Sequence, residues 1–283
     1  MLSNLIIKDK NIIHEFYDVN TNTLTLKDIQ EKTMHITFDN YIPENINIVV
    51  INSNVTLIEN YIGKVAACNF TIEVDENSRL NRFSILVDNN ANLKVNRTIN
   101  NKGYYESMQI DLNDYNTDSI ENVNLLNSEA IGSIIDGIYA INKANKKYQT
   151  NLNHYEANCN SKAQIFAINN DFAHVSIYTD AYIKNGATRS ITNQEGRIIN
   201  LSQTCSGIVL PNLHIDENDV EASHSCSVGS LNQDHMYYLQ TRGLSENQAR
   251  SILIKGYFNP IIKNIENQEI VEEILKVLEQ RIG

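Results

Sequence analysis

The chain has 283 residues, of which 42% are apolar and 20% charged, and its net charge is −11. That length holds one large core or two modest domains, and the acidic balance lacks the clustered Lys and Arg of a broad nucleic-acid footprint. The longest apolar runs, such as 46–51, fall far short of the roughly 20 residues that span a membrane as a helix. Asn4, Lys8, Asp9 and Lys10 leave no readable signal peptide at the N-terminus. The four cysteines, Cys68, Cys159, Cys205 and Cys226, form no CxxC pair and suit a reduced, cytoplasmic protein better than a disulfide framework.

Residues 1–44 mix short apolar and polar pieces and receive no firm assignment. Leu24, Leu26 and Ile29 fit a strand followed by a short turn of helix. From 45 to 230 the pattern is short and alternating. Ile46, Ile48 and Val50 recur at period two, as do Leu93 and Val95, while Leu80, Phe83 and Ile85 do so with a slip. Period two marks half-buried strands. Turn clusters rich in Asn separate them, among them Asn52-Ser53-Asn54, Asn169-Asn170-Asp171 and Lys184-Asn185-Gly186. Asn tolerates left-handed backbone and bonds its own main chain, so it suits tight turns. Many short strands without intervening helices fit a sandwich, a barrel or a β-solenoid. The long unbroken series and the Asn-rich turns favour the solenoid, in which each coil buries its inner face on its neighbours.

The character changes after 230. The spacing predicts a helix over 232–241, with Gly243 as its left-handed cap. Ser245 and Gln248 form a capping box that opens a second helix. That helix is expected to end near Lys255, with Gly256 terminating it and Pro260 preventing continuation. A last helix is expected over about 267–281, with Ile270, Ile274, Leu275 and Leu278 on one face. The chain is therefore read as a β body with a C-terminal helical region, 231–283.

The segment from His214 to Gly229 contains Asp219-Val220 and Ser223-His224 before a run of small residues. It is followed by Tyr237-Tyr238-Leu239-Gln240-Thr241-Arg242-Gly243-Leu244-Ser245, then Ala249-Arg250 and Leu253-Ile254-Lys255-Gly256-Tyr257-Phe258. In order and spacing this resembles the SufB/SufD family of iron–sulfur cluster assembly scaffolds. The match is good over about 150–260 and holds elsewhere only by pattern. The chain is shorter than typical family members and shows no counterpart of their N-terminal helical region.

The resemblance implies a right-handed parallel β-helix that pairs with a second β-helix, as a homodimer or with a family paralogue. It implies a SufC-like ATPase docked on the C-terminal helices and sulfur delivered by a cysteine desulfurase system. It also implies a transient iron–sulfur cluster at the interface of the pair, to which SufB contributes a Cys with nearby acids and SufD a His. His224 matches the family His, and imidazole is a borderline ligand suited to iron. The competing reading is a packed strand histidine. Cys205, in Gln203-Thr204-Cys205-Ser206, resembles the block around the SufB Cys, and its thiolate is both a nucleophile and a soft ligand. Its competing reading is a buried thiol.

Cys226 has no family counterpart. It stands two residues from His224, so the two share a strand face and can share a metal. The alternative is a small apolar filler. Ser223 and Ser225 stand where SufB has Glu, which removes its carboxylate ligands. Tyr237, Tyr238, Arg242, Gly243, Tyr257 and Phe258 form the expected ATPase-docking surface, or else only hold the tail on the body. No P-loop is present, so the protein is expected to be a scaffold rather than an enzyme. Two other readings compete with this one. A β-solenoid enzyme acting on polysaccharide would need paired acids on an exposed face, and an interaction module would have lost the cluster site.

Overall fold

The computed structural model describes residues 4–9, 12–263 and 268–282. In chain order the strands begin with β1 (Leu5–Ile7), β2 (Tyr17–Asp18), β3 (Thr23–Lys27), β4 (Gln30–Asp39), β5 (Asn45–Ile51) and β6 (Asn54–Ile62). Next come β7 (Ala67–Val74), β8 (Arg79–Leu86), β9 (Leu93–Asn101), β10 (Tyr104–Asp111), β11 (Thr117–Leu125) and β12 (Ile131–Ala140). The last six are β13 (Asn145–His154), β14 (Asn160–Asn169), β15 (His174–Ile183), β16 (Ser190–Asn200), β17 (Ser206–Ile215) and β18 (Val220–Ser230). Three helices close the chain: α1 (Gln233–Thr241), α2 (Glu246–Ile262) and α3 (Gln268–Ile282).

From β3 onward successive strands alternate between two nine-stranded sheets. One has the order β1-β4-β6-β8-β10-β12-β14-β16-β18, and the other the order β17-β15-β13-β11-β9-β7-β5-β3-β2. Apart from the small antiparallel pair of β2 with β3, neighbours in each sheet run parallel. The fold is a β-solenoid with two strands per coil, as the alternation and the Asn-rich turns suggest. The coils widen along the chain. Partners one coil apart are separated by 24 residues at Asn45 and Asn69, 29 at Asn122 and Asn151 and 32 at Asp180 and Asn212. The N-terminal part left unassigned joins the same sheets, and Ile29 lies in the short link from β3 to β4, not in a helical turn.

The turns explain the Asn content. Asn22, Asn40, Asn52, Asn142 and Asn158 all take positive φ, where Asn is among the few side chains that fit at low cost. On the solvent face of the second sheet, Asn amides stack into ladders. Asn153 donates to Asn124 (3.0 Å) and Asn124 to Asn100 (3.0 Å). Each rung thereby pins the register of the next.

The first sheet is apolar on both faces. Its inner face carries residues such as Leu57 and Leu80 in the lumen, while Ile58, Ile85, Met108, Ile110 and Ile135 point outward. These outer residues are covered by Ile254, Phe258 and Ile261 of α2 and by Ile274 and Leu278 of α3. Gly137 allows this close approach, because a Cβ there would sit 2.6 Å from Ile261 Cδ1 and 3.1 Å from Phe258 Cε1.

The two-faced burial accounts for the slip in the Leu80–Ile85 pattern. Leu80 faces the lumen and Ile85 the helices, so no single period fits the apolar residues. The expected stop of the second helix is corrected as well. α2 runs through Gly256 and Pro260 to Ile262. Packing of Ile254, Phe258 and Ile261 on the sheet outweighs those local breaking tendencies. Gly243 takes φ +92° and Ser245 with Gln248 forms the capping box, both as expected, while Asn232, read as the first helical residue, is instead the N-cap of α1. The expected start of the last helix at 267 lies outside the described residues.

Inside the lumen the wall changes from apolar to ionic. The fully buried Arg82 reaches Glu59 at 3.0 Å, Glu121 at 3.1 Å, Ser107 at 2.6 Å and the Tyr105 hydroxyl at 3.1 Å. Buried Arg97 donates to Tyr61 (3.1 Å) and Gln109 (3.3 Å), and lies 3.5 Å from Glu59. Lys146 donates to Asp111 (2.9 Å), Asn113 (3.0 Å) and Thr117 (3.1 Å). Burial disfavours the Glu121 carboxylate, but Arg82 and Arg97 outweigh it and hold its pKa below the usual range. Asp136 behaves oppositely. Burial and the nearby Glu121 charge push its pKa well above the usual carboxylate range.

A second polar group lies nearer the C-terminal end of the lumen. Buried His154 Nε2 lies 2.7 Å from Ser161 Oγ, which donates to Thr192 at 2.8 Å. His154 therefore donates through Nε2, and its buried Nδ1, the acceptor nitrogen of this tautomer, meets no donor among the described residues. Burial lowers its pKa to about 4. An unfolded His titrates near 6.5, so between these values the unfolded chain holds more protons and stability rises with pH. Acidification from neutrality to about pH 5 should cost about 2 kcal/mol through this group. Denaturation midpoints across that range should show the loss in the native chain and a shallower one in His154→Gln.

Candidate functional site

β17 and β18 are each the last strand of their sheet, so the final coil presents two unpaired edges side by side. Such edges carry a row of free N–H and C=O groups and are templates for pairing with another strand. The final coil also leaves large apolar side chains open, with Leu210 49% and Val228 45% exposed.

Register decides where the candidate ligands point. His224 pairs with Gln194, which lies above Ala163, Ile134 and Ser107, all buried in the lumen. Cys226 pairs with Gly196, in the column of Ile165 and Asp136. Both side chains therefore continue inward-facing columns and are exposed only because no coil lies beyond them. Glu221 pairs with the exposed Ile191, and Ser223 accepts from the exposed Asn193 at 2.7 Å, so these belong to the outer face. The shared face of His224 and Cys226, expected from their spacing, is what the register gives.

Cys205 is not brought to them. It precedes β17 in a tight turn, 8% exposed, and its thiol donates to the carbonyls of Asn169 and Ser202 at 3.2 Å each. Asn169 registers with Asn200 and Ser230 at the far end of β18. The four residues from Cys226 to Ser230 alone span about 13 Å. Among the described residues no three His, Cys, Asp or Glu groups converge as a metal site. One chain thus supplies fewer donors than the four that a closed tetrahedral site takes.

The residues expected at a docking surface separate in the same way. Tyr237 and Tyr238 of α1 are 70% and 56% exposed, and the Arg242 guanidinium lies 5.1 Å above the Tyr238 ring. Gly243 forms the turn behind them. Tyr257 is half-buried. Phe258 is 1% exposed and packs under α2 against the first sheet. The sequence reading missed the ionic lumen altogether. Its one signal was Arg82 at an even spacing from Leu80, an inward position that a charged residue rarely takes. The carboxylates gathered there (Glu59, Asp111, Glu121 and Asp136) are buried and out of reach of a polymer. Among the described residues no helix is long and apolar enough to cross a membrane.

The family profile described as "SUF system FeS cluster assembly, SufBD core domain" matches residues 36–257. The iron–sulfur cluster assembly protein SufD of Bacillus subtilis is 26% identical over 241 residues, covering 82% of this chain and 55% of that protein. A SufBD family protein of Mycobacterium leprae is 30% identical over 111 residues, 39% of this chain and 28% of that one. One from Pyrococcus horikoshii is 37% identical over 66 residues, 23% and 15% of the two chains. The chain thus spans about half, or less, of the length of these curated relatives. With the profile spanning most of a parallel β-solenoid that ends in the matched motifs, the chain belongs to the SufB/SufD family of iron–sulfur cluster assembly proteins.

Proposed function

We propose that this chain is a scaffold subunit of a SUF-type iron–sulfur cluster assembly complex. Its last coil pairs with a second β-helix, and a nascent cluster is held at that junction as cargo. Sulfur reaches it as persulfide from a cysteine desulfurase system. The exposed side of α1, with Tyr237, Tyr238, Arg242 and the Gly243 turn, docks a SufC-like ATPase together with the open edge of Tyr257. Nucleotide hydrolysis falls to that partner, because the chain has no P-loop. His224 and Cys226 are the donors offered at the junction. Cys205 reaches it only when the turn over 201–205 opens, because its thiol is tied to Asn169 and Ser202.

The observation that carries this reading is the open final coil, with two free strand edges and a His–Cys pair near the middle of one. The similarity to iron–sulfur cluster assembly proteins supports it. Anaerobic incubation of the full chain with ferrous iron and sulfide, with and without the ATPase, tests it. A visible absorbing cluster is expected, with its yield reduced about tenfold or more in His224→Ala, as loss of a metal-site group does. ATPase binding with no cluster in any condition would instead make the chain an interaction module and contradict the reading.

A further inference from the structure

β18 comprises eleven residues, Val220–Ser230, so its central residue is Ser225, flanked by His224 and Cys226. It contains no proline, and its free edge can form a full ladder. Two copies that join these edges about a twofold axis pair them antiparallel, because the axis reverses the strand direction. Full overlap sets Val220 against the partner's Ser230 and Ser225 against itself. His224 then lies opposite the partner's Cys226, and Cys226 opposite the partner's His224.

Opposite residues of an antiparallel pair share a face at about 4.5–5.5 Å, and residues two apart along a strand are about 7 Å apart. The two His and two Cys residues thus form a compact two-by-two array on the lumen side. His224 and Cys226 are exposed in the single chain, because no further coil covers them among the described residues. Two imidazoles and two thiolates complete the tetrahedral set that zinc takes, and the same donors suit iron. Cys205 stays outside the array while the turn over 201–205 is closed, because its thiol is tied to Asn169 and Ser202, level with the far end of the strand.

We infer that Cys226, not Cys205, is the thiolate that acts with His224, and that a thiophilic divalent metal is held by these two residues of two copies of this chain. The inference rests on the pairing of final coils proposed above. It is tested on the full reduced chain under anaerobic conditions with Co²⁺ as the probe, while light scattering follows the oligomeric state. Thiolate-to-cobalt charge-transfer absorption should saturate at one Co²⁺ per two chains. Cys226→Ser should abolish it, His224→Ala should weaken binding at least about tenfold, and Cys205→Ser should change neither. Circular dichroism checks that each variant keeps its strands. Saturation at one metal per chain, a band that survives Cys226→Ser or a band lost in Cys205→Ser would overturn the inference. A dimer without any cobalt band overturns this site and leaves the pairing standing, whereas a monomer overturns both.

Discussion

Replacing Arg82 with Met should destabilise the β body by about 3–5 kcal/mol, the usual cost of removing one partner from a buried ion pair. Arg82 is fully buried and bridges Glu59 of β6 to Glu121 of β11, with Tyr105 and Ser107 on its remaining donors. Met fills much of the space but leaves two carboxylates facing one another without that guanidinium. Arg97 alone remains near them, 3.5 Å from Glu59. The denaturation midpoint of the strand signal in circular dichroism measures the loss.

Asp136→Asn supplies the contrast. The lumen holds Glu59, Glu121 and Asp111 against Arg82, Arg97 and Lys146, so charge already balances without Asp136. Its raised pKa accords with that balance. Asn copies the shape of a protonated Asp, so this substitution should stay within about 1 kcal/mol of the native chain, as matched neutral replacements do. If Asp136→Asn proved as damaging as Arg82→Met, the balance drawn here would be wrong.

Much of the solenoid was legible because alternation is a direct consequence of strand geometry. Ile46, Ile48 and Val50 are buried as their period requires, and Asn52 takes the left-handed turn that its residue type invites. The phase was hidden where one sheet is buried on both faces, as at Leu80 and Ile85. The helix breakers Gly256 and Pro260 misled for a related reason: local preference of about 1–3 kcal/mol per residue yields to a face pinned on a sheet. The ionic lumen was illegible because a charged residue in an alternating strand ordinarily faces water. The site was half legible. Spacing alone puts His224 and Cys226 on one face. That the face is the open end of a lumen, and that Cys205 is tied down elsewhere, follows only from the register of β16, β17 and β18.

That open end makes the second large prediction. Val228 lies on the inward column above the fully buried Ile198, yet is 45% exposed. An apolar side chain left so open at a free strand edge is suited to burial against a second coil. In the twofold pairing it joins a continuous lumen, and a Lys there would place an unpaired charge in a closing apolar space, at a cost of several kcal/mol. Val228→Lys should therefore abolish pairing, while the strands beneath keep their circular dichroism. Molar mass by light scattering on the full chain decides the matter. The native chain is expected at twice its 32.1 kDa and Val228→Lys at 32.1 kDa. A native chain that stays at 32.1 kDa at every concentration measured would contradict the final coil as a pairing edge between copies.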